Sequence, residues 1–198
     1  SGGLGFPLIN AVLIGFAGCL LYVFWYSRFN RQANDDLVVG NQLPEFVLQD
    51  ESGSSVKTAD IVQQPALLIF FRGNWCPLCM AQIKQVAGQY QALSEKGVKI
   101  YLISPQPHED TRVLSEKFEV DFNFLVDEGG KVARQLNIIA ENGLPTGLQV
   151  LGYDSDTVMP TVLMTDATGK IIFADLTDNY RVRPEPEVFL RVFAEAGI

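Results

Sequence analysis

The sequence has few of the residues that hold metal ions or cross-link small domains. Its 198 residues include three cysteines and one histidine, and three cysteines do not make a disulfide framework. Lysine and arginine are also scarce, because 15 of them face 23 acidic residues and the formal net charge is −8. Such a charge argues against nucleic acid as a partner, and against an acidic membrane surface as the main partner of the soluble part.

Charge is absent altogether from the first segment. No charged residue lies between Leu4 and Tyr26, where Asn10 is the one strongly polar side chain. A run of this length crosses a hydrocarbon core of roughly 30 Å, and an aromatic residue such as Trp25 near its end is typical of a membrane interface. We therefore predict that residues 1–27 form a single transmembrane helix. The long apolar run and the lack of a preceding basic region argue against a cleaved signal peptide, and a buried core helix stays open as an alternative.

The side of the membrane is predicted from two arginines. Arg28 and Arg31 follow the apolar run, and no lysine or arginine precedes it. The positive-inside rule then places the large domain in the cytoplasm, although Asp35 and Asp36 partly offset these charges. The expected partners of the helix are the membrane itself and other membrane proteins.

The rest of the chain alternates predicted strands and helices. Residues 28–42 are polar and are predicted to form a linker, and residues 43–198 are predicted to form one domain. Strands are predicted at 46–48, 56–57, 66–71, 98–104, 122–126, 161–165 and 171–174, and helices at 80–96, 108–118, 131–138 and 188–196. This order predicts an α/β fold with a mixed sheet and helices on both faces. The pattern of residues 139–157 matches no single element.

Two cysteines lie where a buried strand turns into a helix. Cys76 is placed at the helix N-terminus with Pro77 at the first helical position, where free backbone N–H groups and the helix dipole stabilise an anion such as a thiolate. Cys79 lies one turn later on the same face, within reach for a disulfide. The pattern favours a redox pair in which Cys76, the outer sulfur, is the nucleophile. Half of a zinc site, which needs a second pair of ligands, and two inert buried cysteines remain alternatives.

Several stretches resemble a known family. Trp75-Cys76-Pro77-Leu78-Cys79 resembles the active site of the thioredoxin fold, and Met159-Pro160-Thr161 resembles the cis-proline segment that faces that site. Residues 70–80, 43–46 and 178–186 resemble the peroxiredoxin-like branch of the alkyl hydroperoxide reductase and thiol-specific antioxidant family. The resemblance covers roughly residues 41–196. It implies a thioredoxin-like fold, and a cis Met159–Pro160 bond beside the cysteine pair.

The resemblance also implies roles for the residues around the cysteines. Trp75 is expected to shield the Cys76 sulfur and to form part of the docking surface, and Pro160 is expected to present backbone groups to an extended substrate. Arg72, with Arg181 or Arg183 from the C-terminal segment, is expected to supply positive charge, and for each arginine a solvated surface position is the alternative. The chain departs from typical peroxiredoxins, because Ile69 and Gly73 stand where those proteins carry a proline and a threonine or serine.

These observations predict a membrane-anchored thiol–disulfide oxidoreductase. The Cys76 thiolate attacks a protein disulfide, or a peroxide, and Cys79 resolves the product. A thiol reductant is needed as a further partner, and no metal or organic cofactor is needed. Two alternatives stay open: a peroxidase of the same fold, and a non-catalytic membrane-anchored module whose cysteines are vestigial.

Overall fold

A seven-stranded mixed sheet forms the centre of the domain. The computed structural model describes residues 5–28, 31–179 and 181–198. Its strands are β1 (Val47–Asp50), β2 (Ser55–Lys57), β3 (Ala66–Phe70), β4 (Lys99–Ser104), β5 (Asn123–Val126), β6 (Ile139–Ala140), β7 (Thr157–Val158), β8 (Thr161–Thr165) and β9 (Ile171–Asp175). The order in the large sheet is β2-β1-β5-β4-β3-β8-β9, and β6 pairs with β7 in a separate ribbon.

The pairing of the central strands brings three chain segments to one end of the sheet. β3, β4 and β5 are parallel, whereas β8 runs antiparallel to β3 with Thr161 opposite Phe70. β9 runs antiparallel to β8 with Asp175 opposite Val162. The last residue of β3, the first of β8 and the last of β9 therefore lie side by side, and we call this edge the Phe70 end of the sheet.

Helices cover both faces of the sheet. They are α1 (Gly5–Leu21), α2 (Thr58–Ile61), α3 (Pro77–Gly88), α4 (Tyr90–Glu95), α5 (His108–Ser115), α6 (Lys131–Gln135) and α7 (Pro186–Glu195). Alternation along β3 separates two cores, because Leu68 and Phe70 face the core that includes α2 and α6, whereas Leu67 and Ile69 face the core that includes α3 and α7. The predicted α/β fold with helices on both faces is confirmed.

The structure revises several predicted boundaries. The helix predicted at 80–96 is two helices, α3 and α4, which meet at Gln89 directly after Gly88. Glycine is unfavourable inside a helix, which accounts for the break. Residues 139–157 hold the ribbon of β6 and β7 and a short 3-10 helix, Leu148–Leu151. These short pieces have no periodicity long enough to be recognised in the sequence.

The N-terminal helix stands apart from both cores. α1 continues through a π-helical turn, Tyr22–Tyr26, and the stretch Pro7–Trp25 has a mean hydropathy of 2.1 with none of it buried in the domain. By length and composition this helix is able to cross a membrane. Its end meets the segment after β9, where the Arg181 guanidinium lies 5.5 Å from the Tyr22 ring centre and Arg28 pairs with Asn179.

Residues 31–42, predicted as part of a linker, lie against the domain. Leu37 is 1% exposed and belongs to the core with α2 and α6. The Asn34 side chain donates to the Leu136 carbonyl at 2.7 Å, and the Gly40 N–H donates to the Ile171 carbonyl at 2.8 Å. The segment is thus held in place by the domain, and a domain start at residue 43 stays a prediction.

Candidate redox site

The two cysteines are brought together by the start of α3. Cys76 is the N-cap residue with an extended backbone, Pro77 follows at the first helical position, and the Cys76 sulfur accepts the Cys79 N–H at 3.3 Å. The structure pairs the two sulfurs in a disulfide, with the Cα atoms 5.3 Å apart, well within the usual range. The Cys79 N–H lies in the first turn of α3, where backbone N–H groups have no acceptor within the helix. The same hydrogen bond can therefore stabilise a Cys76 thiolate after reduction.

Both sulfurs are enclosed. Cys76 is 3% exposed and Cys79 is 1% exposed, and both pack in the core with α3 and α7. In this disulfide state, the outer position predicted for the Cys76 sulfur therefore does not expose Cys76 to solvent. Of the CxxC stretch, Pro77 and Leu78 are the exposed residues, so a substrate reaches Cys76 only when the side chains around it move.

Trp75 and Gly73 fit together directly before the cysteines. Gly73 has a φ of +147°, and a Cβ there would lie 2.6 Å from Trp75 Nε1. The indole therefore fills the space that a side chain at position 73 would need. Trp75 Nε1 is buried and has no hydrogen-bond partner among the described residues.

Arg72 lies over the face of Trp75. Its guanidinium carbon is 4.8 Å from the ring centre, a cation–π geometry, and its Nη2 donates to the Gly143 carbonyl. The Arg72 carbonyl accepts the Thr157 hydroxyl at 3.1 Å. The loop between β6 and β7 thus holds Arg72 beside Trp75. The charge that Arg72 is expected to supply to Cys76 stays a prediction.

The Met159–Pro160 bond is not cis. The structure has no cis peptide bond among its described residues, so this prediction, which rested on the resemblance, is wrong. The trans form is the usual state of an X–Pro bond, and the Pro160 carbonyl is here engaged by an arginine. Pro160 does lie at the Phe70 end of the sheet, directly before Thr161, and a trans bond there is compatible with the fold.

Arg31 is the arginine that holds the Pro160 turn. Its Nη2 donates to the Pro160 carbonyl at 2.6 Å and its Nη1 to the Thr161 hydroxyl at 3.1 Å. Its Nε donates to the Thr177 carbonyl at 2.9 Å, and its backbone N–H to the Asp178 carboxylate at 2.9 Å. Burial lowers the pKa of Arg31 to about 10, against the opposing effect of Asp175 and Asp178. Sequence reasoning used Arg31 only for membrane sidedness, because partners more than a hundred residues away leave no local pattern.

Arg183 lies within electrostatic range of Arg31, Arg72 and Asp175, and we call these four residues, with Asp178, the arginine cluster. Burial lowers its pKa to about 10, the positive charges of Arg72 and Arg31 act in the same direction, and Asp175 opposes them. Burial in turn raises the pKa of Asp175, which Arg183 and Arg31 counteract. Arg181 is exposed and lies on Tyr22 instead. Of the two C-terminal arginines considered from the sequence, the structure brings Arg183 into the electrostatic range of Arg72.

A polar network that the sequence did not indicate supports the turn before Trp75. The Asn74 N–H donates to the buried Gln106 side chain at 2.8 Å, and the Tyr153 hydroxyl donates to the Asn74 side chain at 2.6 Å. Burial and the nearby Asp110 raise the pKa of Tyr153, which keeps its proton available for this bond. Gln106 also donates to Thr111 at 3.0 Å, so the turn is tied to α5 and to the loop before β7.

Known proteins similar to this chain include members of one sequence family and solved structures with the same fold. Residues 39–174 match the AhpC/TSA family. The chain is 22% identical to the thiol-disulfide oxidoreductase ResA of Bacillus cereus over 166 residues, which cover 83% of this chain and 82% of ResA. It is 28% identical to the peroxiredoxin Bcp of Escherichia coli over 147 residues, which cover 73% of this chain and 90% of Bcp.

A solved structure shows the same fold. The peroxidoxin BcpB of Mycobacterium tuberculosis superposes with a TM-score of 0.64 and 19% identity, covering 79% of this chain and 96% of BcpB. At this identity the likeness concerns the fold alone. The thioredoxin-like fold predicted from the sequence is confirmed.

Proposed function

This chain belongs to the AhpC/TSA family, and on that premise we propose that it is a membrane-anchored thiol–disulfide oxidoreductase whose redox centre is Cys76 and Cys79. The predicted family and the predicted enzyme class, an oxidoreductase, are confirmed, since the matched relatives are thiol-disulfide oxidoreductases and peroxiredoxins. The choice between these two activities is our proposal. The observation that supports it most directly is the pairing of Cys76, at the N-terminus of α3, with Cys79 one turn later.

The reaction uses only the two sulfurs and a disulfide substrate. The Cys76 thiolate attacks one substrate sulfur, which forms a mixed disulfide and releases the first substrate thiolate. Cys79 then loses its proton and attacks the Cys76 sulfur, which releases the second substrate thiol and leaves the Cys76–Cys79 disulfide. The substrate gains two electrons and the protein loses two. Two thiols of a reductant, or one dithiol, then reduce the Cys76–Cys79 disulfide through two further exchanges and are themselves oxidised to a disulfide, which restores both protein thiols for the next turnover.

The surroundings of Cys76 supply what this reaction needs. The free N–H groups at the start of α3 and the guanidinium of Arg72 both favour negative charge on sulfur. Trp75 packs against the core that contains both cysteines, and Arg31 donates to the Pro160 carbonyl. We assign Trp75, Arg72 and Pro160 supporting roles around the nucleophile.

Membrane anchoring is the second part of the proposal. The stretch Pro7–Trp25 has the length and composition of a transmembrane helix, and it is not buried by the domain, as a core helix would be. Arg28 and Arg31 follow its C-terminal end, and on the positive-inside rule we place the domain in the cytoplasm. A fractionation experiment tests the anchor. We expect the full chain to resist carbonate extraction, and its recovery in the soluble fraction would contradict the proposal.

A peroxidase is the second candidate, and one observation favours it. The unpartnered Trp75 Nε1–H lies next to the space where typical peroxiredoxins carry a hydroxyl, so it offers a donor to the oxygen on which charge develops. Disulfide exchange remains our first proposal because it needs no such donor. Trp75→Phe removes the N–H and keeps most of the ring. If peroxide consumption by the reduced protein is far faster than that of a free thiol and falls about a hundredfold in this variant, the peroxidase replaces our proposal.

Redox titration of the full chain in detergent micelles tests the proposal itself. In glutathione buffers of graded potential the Cys76–Cys79 pair should titrate as a single two-electron couple. Cys19 is exposed on α1, so Cys19→Ser is the background for all thiol measurements. A pair that does not exchange with glutathione or with a dithiol protein at any potential would leave the non-catalytic module as the function.

A further inference from the structure

One edge of the Arg183 guanidinium has no hydrogen-bond acceptor among the residues that the structure describes. Nε and Nη2 are both buried and have no hydrogen-bond partner among the described residues, whereas Nη1 donates to the Val182 carbonyl at 2.5 Å. Nε and Nη2 form one side of the planar group, the side that binds a carboxylate through two parallel hydrogen bonds. A buried charged donor without a partner is costly, so this edge requires an explanation.

The nearby carboxylates do not provide the missing acceptor. Asp175 attracts Arg183 electrostatically, but its Oδ1 accepts the Thr177 N–H at 3.1 Å, and no ion pair joins it to Arg183 in the described parts of the chain. Asp178 accepts the Arg31 N–H. Three guanidinium groups, those of Arg31, Arg72 and Arg183, are thus balanced by two carboxylates, which leaves the cluster with an excess of positive charge.

This cluster lies at the same end of the sheet as the cysteines. Arg31 joins the segment after β9 to Pro160 through its bonds to Thr177 and to the Pro160 carbonyl. Asp175 is opposite Val162, and Val162 packs in the same core as Cys76 and Cys79. Arg72 continues the cluster to Trp75, the residue before Cys76. An anion on the free edge of Arg183 would therefore sit within the surroundings of the redox pair.

We propose that the Nε–Nη2 edge of Arg183 binds a carboxylate of the substrate, and that the enzyme prefers disulfides carrying a carboxylate close to sulfur. The inference rests on the proposed thiol–disulfide exchange and adds to it a preference for negatively charged substrates. Arg183 holds the carboxylate while Cys76 attacks the neighbouring sulfur. The chemistry is unchanged: the reduced protein and one disulfide give the oxidised protein and two thiols.

Three small disulfides of different charge test this preference. The reduced full chain, in detergent micelles and with Cys19→Ser, is mixed with dithiodipropionate, with hydroxyethyl disulfide and with cystamine, which are anionic, neutral and cationic. The rate of loss of protein thiols is measured for each. We expect the anionic disulfide to react about tenfold or more faster than the neutral one, and the cationic one to be slowest.

Variants of Arg183 and Arg181 distinguish carboxylate binding by Arg183 from a general effect of the protein's charge on the reaction rate. Arg183→Gln should remove the anionic-to-neutral rate ratio, and Arg183→Lys should restore only part of it, because an ammonium group lacks the two-pronged edge. Arg181→Gln is the matched control, since Arg181 is exposed and two residues away, and it should keep the ratio. A ratio that survives in Arg183→Gln, or that falls equally in Arg181→Gln, overturns the inference.

A binding measurement keeps the inference separate from the proposed function. Propionate alone should raise the unfolding temperature of the oxidised full chain relative to chloride at equal ionic strength, and should not do so for Arg183→Gln. If no disulfide reacts but propionate binds through Arg183, the exchange function is wrong and the anion site stands. If all three disulfides react at similar rates and propionate has no effect, the exchange function stands and the anion site is wrong.

Discussion

The cysteine turn and the arginine cluster lie at the same end of the sheet but are built in opposite ways. In the turn, partners are close in sequence: the Cys76 sulfur meets the N–H of Cys79, three residues on. In the cluster, partners are distant: Arg31 meets Thr161, 130 residues away. Each region also leaves a buried donor without a partner among the described residues: Trp75 Nε1 beside the turn, and Nε and Nη2 of Arg183 in the cluster. Local sequence thus brings the two cysteines together, whereas contacts between distant segments build the arginine cluster.

Removing either cysteine gives the largest effect and tests the turn alone. Cys76→Ser should lower the rate of disulfide exchange by about a thousandfold or more, because the nucleophile is lost. Cys79→Ser should instead accumulate mixed disulfides through Cys76, because the resolving thiol is lost. Mass spectrometry of the protein after reaction with a small disulfide detects the adduct. Adducts that form on Cys79 in the Cys76→Ser variant at the wild-type rate would reverse the assignment.

Removing Arg31 tests the member of the arginine cluster whose guanidinium makes three hydrogen bonds within the protein. Arg31→Ala deletes three side-chain hydrogen bonds, and the relief of burying its charge offsets only part of that loss. We expect a fall of about 3 kcal/mol in the free energy of unfolding, or roughly 6 to 12 °C in unfolding temperature. Circular dichroism of the full chain in micelles measures it. Arg28→Ala is the control, since Arg28 is exposed, and a similar fall there would contradict the role given to Arg31.

Adding a methyl group at Gly73 tests how closely the turn is packed. Gly73→Ala places a Cβ 2.6 Å from Trp75 Nε1 at a backbone φ of +147°, which is unfavourable for any residue with a Cβ. We expect a loss of about 2 kcal/mol in stability and a slower exchange reaction, because the indole must move. Gly88→Ala is the matched control, as no atom lies within 4 Å of its added Cβ. Equal unfolding temperatures for the two variants would show that the indole does not depend on Gly73.

Removing Arg183 should give the smallest change in the free energy of unfolding, and this change should have the opposite sign to that of Arg31→Ala. Its pKa is lowered to about 10 by burial, so folding disfavours the charged form at every pH below that value. Arg183→Met should raise stability by about 1 kcal/mol, or roughly 2 to 4 °C. The gain should be constant between roughly pH 7 and pH 9, and should vanish as pH rises through the folded pKa towards the higher, ordinary arginine pKa. A drop in unfolding temperature comparable to that of Arg31→Ala would mean that Arg183 is held by bonds within the protein.

The contrast between local and long-range contacts also explains which features could be predicted from the sequence. The strand before Cys76, the helix after it and Pro77 between them are adjacent in the sequence, so their pattern was sufficient to place the two cysteines together at the start of α3. Pro160 lies at the Phe70 end of the sheet, directly before Thr161, but the cis bond expected from the resemblance is wrong, because the presence of a proline does not by itself determine the isomer of the bond before it.

Other parts of the site had no signal that a single sequence could reveal. Gln106 and Tyr153 support Asn74 from two separate loops, and nothing in their own neighbourhoods marks them. The enclosure of Cys76 is likewise a property of the packed core. Arg31 was noticed, but as a charge beside a membrane, because its bonds to Pro160 and Thr177 appear only when the chain is folded.

The bond between Arg31 and Pro160 also sets how far the redox site can move from a membrane. The apolar stretch ends at Trp25, and Arg31, six positions later, already contacts the Pro160 turn, so a tether of at most about 20 Å separates them. With the helix in a bilayer, the site searches a thin layer above the lipid rather than the volume of the cell. A disulfide held in that layer meets the enzyme at an effective concentration of roughly millimolar. A disulfide free in solution gains nothing from the tether.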